Sequence, residues 1–200
     1  MDGFLHETPR LILRDWRDED WPPFWKHLNT PAVTQFLGGL ADATYRQRTQ
    51  DRLTRYQRDY GHTFWVLQRR DDGGHLAGEI IGWCGLKRCN EPNGPVGDFE
   101  AGWRLREDAW GHGYAREAAR ASIDLAFERF DAPHVIALTV AGNKASWGLM
   151  ERLGMERRAD MDFEDSASWA KGETLIVYRI DRGQWEAQRP SRPRDAGTDG

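Results

Sequence analysis

The segment Trp110-Gly111-His112-Gly113-Tyr114-Ala115 places two glycines directly before a helical pattern, and that combination can hold an anion. Glycine lets the backbone turn tightly and approach a ligand with no Cβ in the way. The helix that starts there offers unpaired N–H groups and the positive end of its dipole. A phosphate fits such a cradle. The dipole itself contributes only about 0.3–2 kcal/mol, so several amide hydrogen bonds must act together. Arg116, in the first helical turn, adds charge. His112 could hydrogen-bond a phosphate or face water, and water is the expected of the two. A Walker A loop would need Gly-Lys-Ser/Thr, and a Rossmann fingerprint would need a third glycine where Arg116 stands. Both nucleotide loops fail while the anion site survives. An ordinary strand-to-helix turn is the plain alternative.

The elements around this loop follow from periodicity and turn residues. Residues 9–14 read as a first strand. Asp18 caps a helix to about Leu28, with Pro22 and Pro23 tolerated in its first turn. Residues 44–60 form a second helix, with Tyr45, Thr49, Leu53, Tyr56 and Tyr60 on one face. Strands follow at 62–69, at about 76–86 after a hairpin turn at 71–74, and at 98–105 after a loop at 89–97. Residues 114–130 are helical, with Ala115, Ala119, Ile123, Ala126, Phe127 and Phe130 along one apolar face. Residues 134–140 are almost continuously apolar, as in a strand buried on both faces. Asn143 caps a short helix that Gly154 ends, and 174–180 form a last strand. Antiparallel strands, then strand–helix–strand–helix, predict a mixed α/β sheet with helices on both faces. The strands flanking the 114–130 helix should run parallel. Residues 1–188 read as a single domain and 189–200 as a disordered tail.

Composition narrows the classes. The chain has 200 residues, 39% hydrophobic and 30% charged, which suits a folded globular protein rather than a disordered one. A net charge of −4 and a pI near 5.9 argue against a chain built to coat nucleic acid or an anionic membrane. No apolar run approaches a membrane span, and Met1-Asp2-Gly3-Phe4 opens no secretory signal, so a cytoplasmic location is expected. Cys84 and Cys89 read as plain thiols, and without further ligands at close spacing no metal is expected. Ten tryptophans either fill core positions or line a groove, with Trp16, Trp21, Trp25, Trp65 and Trp83 as groove candidates. No Gly-x-Ser-x-Gly or Cys/His constellation points to a hydrolase.

The loop and its context resemble the GNAT superfamily of acetyltransferases, whose loop reads Gln/Arg-x-x-Gly-x-Gly/Ala. Gly113 and Ala115 match the glycine and the small residue, while Trp110 departs at the first position. That departure is typical of the ribosomal-protein N-terminal acetyltransferase-like (Rim-type) branch, which often reads Trp-Gly-x-Gly-Tyr-Ala before Glu-Ala, as in Glu117-Ala118 here. Residues 9–14 look like that branch's opening strand, and Phe99-Glu100-Ala101-Gly102-Trp103-Arg104-Leu105 looks like the strand feeding the loop. Asn143-Lys144-Ala145-Ser146 through Leu153-Gly154-Met155 looks like its Asn-x-x-Ser…Leu-Gly-Phe element. Val177-Tyr178 with Trp185 looks like its closing strand. The matches run in order over about residues 9–185.

The resemblance implies a GNAT-like mixed, mostly antiparallel central sheet of about six to seven strands. It implies acetyl-CoA as cosubstrate, with its pyrophosphate on Gly111, His112, Gly113, Tyr114 and Ala115. It further implies that Trp103, Arg104 and Leu105 pair their backbone with the pantetheine arm, in a splay between strands 98–105 and 134–140. Glu100 is the candidate general base; a strand glutamate paired with Arg104 or facing solvent is its plain alternative. Asn143 either only caps its helix or also contacts the cofactor arm. Ser146 matches the serine that Rim-type enzymes place near the departing thiolate; Met150 stands where many other members have a tyrosine and cannot donate a proton. The expected acceptor is a small-molecule amine or a peptide N-terminus, walled by residues 18–29, 44–60 and 89–97; nucleic acid and membrane are not expected partners, and a homodimer stays open. An α-amino group of pKa about 7.7–8.0 is roughly a tenth free base at pH 7, against roughly 0.04% for lysine, so a lysine acceptor would demand more of the base. A non-catalytic acyl-CoA sensor on the same fold, or a nucleotide-phosphate binder with an atypical loop, are the competing readings.

Overall fold

The computed structural model describes residues 3–167 and 169–188; the tail expected at 189–200 lies outside them. Strands β1 (Leu5–Glu7), β2 (Leu11–Arg14), β3 (Phe64–Arg69), β4 (Ile80–Arg88), β5 (Phe99–Leu105), β6 (His134–Val140), β7 (Glu156–Arg157), β8 (Phe163–Glu164) and β9 (Thr174–Asp181) form one sheet. Its order is β1-β2-β3-β4-β5-β6-β9-β7, with β8 also on β9. Every pairing is antiparallel except β5 with β6. The expected mixed, mostly antiparallel sheet is therefore present, but with nine strands among the described residues rather than six or seven. The additions β1, β7 and β8 are two or three residues long. Such pieces are too short to carry a period-2 signal.

Helices α1 (Trp21–Leu28), α2 (Pro31–Thr34), α3 (Ala43–Tyr60), α4 (Tyr114–Glu128), α5 (Lys144–Arg152) and α6 (Arg182–Ala187) surround the sheet. Asp18 does not cap α1 directly; it opens a 3-10 turn over Asp18–Asp20. α3 starts at Asp42, whose side chain accepts from the Tyr45 N–H at 2.7 Å, and ends at Gly61 with φ 67°. On the predicted face Thr49, Leu53 and Tyr56 are buried, while Tyr45 and Tyr60 are exposed. The turn expected at 71–74 is longer: β3 ends at Arg69 and β4 starts at Ile80.

α4 lies against one face of the sheet. Ala118, Ala119, Ile123 and Ala126 are fully buried there, over Leu11, Leu13, Ile81, Cys84 and Leu86. Small alanines let the helix approach closely, which explains their spacing. β6 alternates as a strand covered on both sides should: Val135 and Ala137 join the α4 layer, and Ile136, Leu138 and Val140 join a cluster on the other face. That other face carries two separate apolar clusters. One joins α1 and α3 to Phe64 and Trp83. The second joins β6, β8 and β9. No helix among the described residues is long and apolar enough to cross a membrane.

Candidate active site

β5 and β6 pair only at Phe99 with Val135 and Glu100 with Ile136. Beyond these two registers each strand continues, β5 to Leu105 and β6 to Val140, without the other. The strands thus splay where the resemblance implied, and the facing edge of β5 from Ala101 onward has no strand partner on that side.

A cavity of about 410 Å³ opens at this splay, within the size range of small-molecule sites. Its floor comes from β4 and β5. Their antiparallel register sets Trp83 opposite Arg104, Gly85 opposite Gly102 and Lys87 opposite Glu100. Cross-strand partners share a face, so Lys87, Glu100, Gly102 and Arg104 all reach the cavity. A Cβ on Gly102 would lie 2.7 Å from the Phe64 ring, so only glycine lets that ring rest on the strand. Asn143, Ser146 and Met150 line the opposite wall from α5.

Glu100 is 6% exposed and sits in a buried cluster that sequence reading missed. Lys87 Nζ lies 3.0 Å from Glu100 Oε2 and 2.5 Å from Glu91 Oε1. Burial pushes the Glu100 carboxyl up, against the pull of Lys87, to about 7. Burial also works against charge on Glu91 and Lys87, but ion pairing wins: Lys87, drawn by Glu100 and then Glu91, is held above the ordinary lysine value, and Glu91, drawn by Lys87, below the ordinary glutamate value. One ammonium between two carboxylates thus leaves Glu91 ionised and Glu100 poised near neutrality. Cys89 donates to Glu91 at 3.3 Å, and burial drives its thiol to about 12. Cys84 is likewise buried and pushed to about 12. Both cysteines are free thiols, as expected.

The sequence reading found no further metal ligands near the cysteines. In the structure the ligand atoms of Cys89, Glu91 and Glu100 come within 4.8 Å of one another. Glu91 is only two residues from Cys89, and Glu100 arrives through the β4–β5 pairing. The Lys87 ammonium already provides the cation for this donor set. Arg104 is not the partner of Glu100; its Nη2 donates to Leu28 O at 2.8 Å, and its buried Nε has no hydrogen-bond partner among the described residues.

At the loop, Gly111 and Gly113 have φ 77° and 78°, the left-handed region that favours glycine. A Cβ at Gly111 would meet nothing within 4 Å, so that side of the loop is open. α4 has no side-chain cap, unlike α3 and α5, which Asp42 and Asn143 cap. Among the described residues, backbone N–H groups 111–116 make no hydrogen bond. The loop is held from behind. Arg10 Nη1 donates to His112 O at 3.0 Å, and Glu117 accepts from Thr8 Oγ1 at 2.6 Å, Arg10 N at 2.8 Å and Arg10 Nε at 2.7 Å. This brace too was missed by sequence reading. Uncommitted amides, an open glycine at 111 and the Arg10 guanidinium 3.5 Å from where a Gly113 Cβ would stand fit a pyrophosphate.

A family model described as Acetyltransferase (GNAT) domain matches residues 10–156. The chain belongs to the GNAT acetyltransferase family. Among its relatives, the "Uncharacterized protein YkkB" of Bacillus subtilis is 32% identical over 149 residues, 74% of this chain and 83% of that one. The "FsC-acetyl coenzyme A-N(2)-transacetylase" of Aspergillus fumigatus is 31% identical over 127 residues, 60% of this chain and 54% of that one. Among solved structures, an acetyltransferase from Agrobacterium tumefaciens superposes with a TM-score of 0.73 at 25% identity, covering 91% of this chain and 96% of that one. A ribosomal-protein alanine acetyltransferase from Vibrio fischeri gives 0.69 at 15% identity, over 94% and 100%; at that identity it shares the fold alone.

The other residues of this acetyltransferase singled out by sequence fall as follows. Asn143 does cap α5, accepting from Ser146 N at 3.3 Å, and it also lines the cavity. Trp103 lines the cavity, whereas Leu105 is buried and its carbonyl accepts from the Trp110 indole at 3.0 Å. His112 is exposed but not simply solvated: its ring stacks on His75 at 4.0 Å. The Tyr114 side chain is buried in the core, so only its backbone is open to a ligand; Ala115 is half-buried beside it. Of the five groove tryptophans only Trp83 lines the cavity. Trp16, Trp21 and Trp25 pack in one aromatic stack with Phe24, and Trp65 is fully buried. Trp169 joins Trp83 in the lining, while Trp103 borders the cavity from a strand position whose side chain packs on the α4 side of the sheet.

Proposed function

We propose that this acetyltransferase moves an acetyl group from acetyl-CoA to a primary amine by direct attack, with Glu100 as general base. The observation that carries the reading is the β5–β6 splay. It leaves an edge of β5 unpaired beside a cavity whose floor holds a carboxyl poised near 7, and the same strand runs on toward the loop with the uncommitted amides of 111–116. The relative whose name contains "acetyl coenzyme A" supports the donor. Acetyl-CoA supplies an activated acyl thioester. Amides 111–116 bind its pyrophosphate, and the unpaired edge of β5 at Trp103, Arg104 and Leu105 receives the pantetheine arm. Asn143 fixes the start of α5 and faces the same arm.

Glu100 takes a proton from the amine, in the range where a base works best near pH 7. The amine nitrogen bonds to the acetyl carbon as the carbon–sulfur bond breaks. Ser146, on the facing wall, passes its proton to the departing sulfur as it takes one from solvent, and Met150 one turn on cannot. The likeness of the Trp110-to-Ala118 segment to the Rim-type loop supports a place in that branch.

Thiol release from acetyl-CoA over an amine and peptide panel tests this. Turnover of at least one amine, abolished in no-amine controls, is the expected result. Binding of acetyl-CoA without turnover of any amine would instead favour a sensor. A Ser146→Ala protein with full activity would remove the acid role while leaving the rest.

A further inference from the structure

Three arginines converge on the cavity. Arg48 and Arg52 come from α3, four residues apart and therefore on one helical face. Arg104 comes from β5 beneath them. Among the described residues, none of the three has a carboxylate within ion-pair distance, although α3 carries Asp51 and Asp59, which are engaged by Gln47 and Arg58. Arg104 is the decisive member. It is 6% exposed, lines the cavity, and keeps its Nε without a hydrogen-bond partner. A buried donor left unsatisfied is costly, more so when charged, so it calls for an acceptor. The acidic group of the cavity floor, Glu100, does not serve, because it lies 3.0 Å from the Lys87 ammonium.

The acetyl-CoA phosphates do not explain this wall. Their cradle lies at the start of α4, which packs on one face of the sheet. α3 packs on the opposite face, through Leu53 against Phe64 and Trp83. The same cavity is lined by the aromatic residues Tyr45, Phe64, Trp83 and Trp169.

We infer that the acceptor is a small amino-acid-like molecule, an amine with a carboxylate and an apolar body, whose carboxylate is held by Arg48, Arg52 and Arg104. This rests on the reading of the cavity as the acceptor site. It explains how a cationic wall and an amine substrate coexist: the carboxylate offsets the repulsion, and the same wall disfavours the ammonium form of the amine, which is the unreactive one. Aromatic side chains grip the body between the two ends.

The test pairs L-tryptophan with tryptamine and L-phenylalanine with phenethylamine, by kinetics and by calorimetric binding in the presence of CoA. In the wild type the amino acid of each pair should be favoured by roughly tenfold to a hundredfold, the range for a charge-assisted hydrogen bond or two. The double variant Arg48→Gln/Arg52→Gln should reduce that preference to within about threefold, with the KM for acetyl-CoA moving less, as expected for an interaction confined to one ligand. Equal or better use of the decarboxylated amines, or of uncharged peptide N-termini, overturns the inference. So does a loss in the double variant that appears in the acetyl-CoA KM, since the arginines would then serve the donor. Binding separates the two levels of claim: carboxylate-selective binding that vanishes in the double variant, with no turnover, sustains the inference and sinks the transferase reading.

Discussion

The two faces of the sheet are built on opposite principles. Under α4, the layer is continuous and apolar, with Ala118, Ala119, Ile123 and Ala126 at zero exposure over strands of equally buried leucine and isoleucine. On the other face the apolar material is split into two clusters. The gap between them holds Lys87, Glu100 and Arg104, all buried. Burying charge is costly unless it is paired, and replacing such groups by apolar ones is often neutral or stabilising. The polar gap therefore is not there for stability. One face fixes the splay geometry, and the other spends that rigidity on a tuned carboxyl.

The sharpest way to break this division is to exchange the two kinds of damage. Glu100→Gln should lower kcat by roughly 10²–10⁴, the usual worth of a general base, while the melting temperature holds or rises. If turnover and its pH profile are unchanged, the base lies elsewhere. Ile123→Ala, on the buried face of α4, should cost about 2–5 kcal/mol of stability, with kcat and KM retained below the new melting point. Large kinetic loss in a still-folded Ile123→Ala protein would mean that the two faces are not separable.

Much of this arrangement was legible in sequence because long elements advertise themselves. β6 and α4 are read correctly from an unbroken apolar run and an alanine-spaced face. The loop and the positions of Glu100, Asn143 and Ser146 follow from motif order. The Lys87–Glu91–Glu100 cluster was not read, because its members come from β4, a loop and β5, and only the strand register brings them together. Pairing symmetrically about the 89–97 loop would have set Lys87 opposite Phe99, one residue away from the observed Lys87–Glu100 register, and a slip of one residue changes which face a side chain occupies. The tryptophans misled for a different reason. An indole serves a core as readily as a groove, and which it does at Trp65 or Trp83 depends on the face of the strand each occupies.

Lys87 offers a finer cut within the polar face. Its ammonium pulls the Glu100 carboxyl down, while burial and Glu91 push it up, with a smaller downward pull from Arg52. Removing the cation in Lys87→Met must raise the Glu100 value above about 7. Less base is then ionised at neutrality, so kcat at pH 7 falls several-fold and recovers at higher pH. The wild-type profile of kcat, which reports groups in the bound complex, should rise through about 7. A Lys87→Met profile that keeps the same midpoint at lower amplitude would assign Lys87 a structural role only. Circular dichroism at the assay temperature separates either result from unfolding.

The smallest expected effect comes from the carboxyl on the apolar side. Glu117 is half-buried where Glu100 is buried, and its fate is opposite. Burial again disfavours its charge, but the bonds from Thr8 and Arg10 outweigh that and hold it below the ordinary glutamate value. It therefore stays ionised through the whole neutral range, and the support it gives to Arg10 and the loop is lost only as pH falls through that lowered value. Glu117→Gln keeps the shape and removes the charge, so Arg10 loosens its hold on the His112 carbonyl. The KM for acetyl-CoA should rise about two- to fivefold, the scale of a charge effect of roughly 0.3–1 kcal/mol at a helix N-terminus, with kcat and its midpoint untouched. A shifted kcat midpoint in this variant would tie the loop to Glu100 across the sheet. An unchanged KM would mean that Gly111 and Gly113 hold the cradle open by backbone conformation alone.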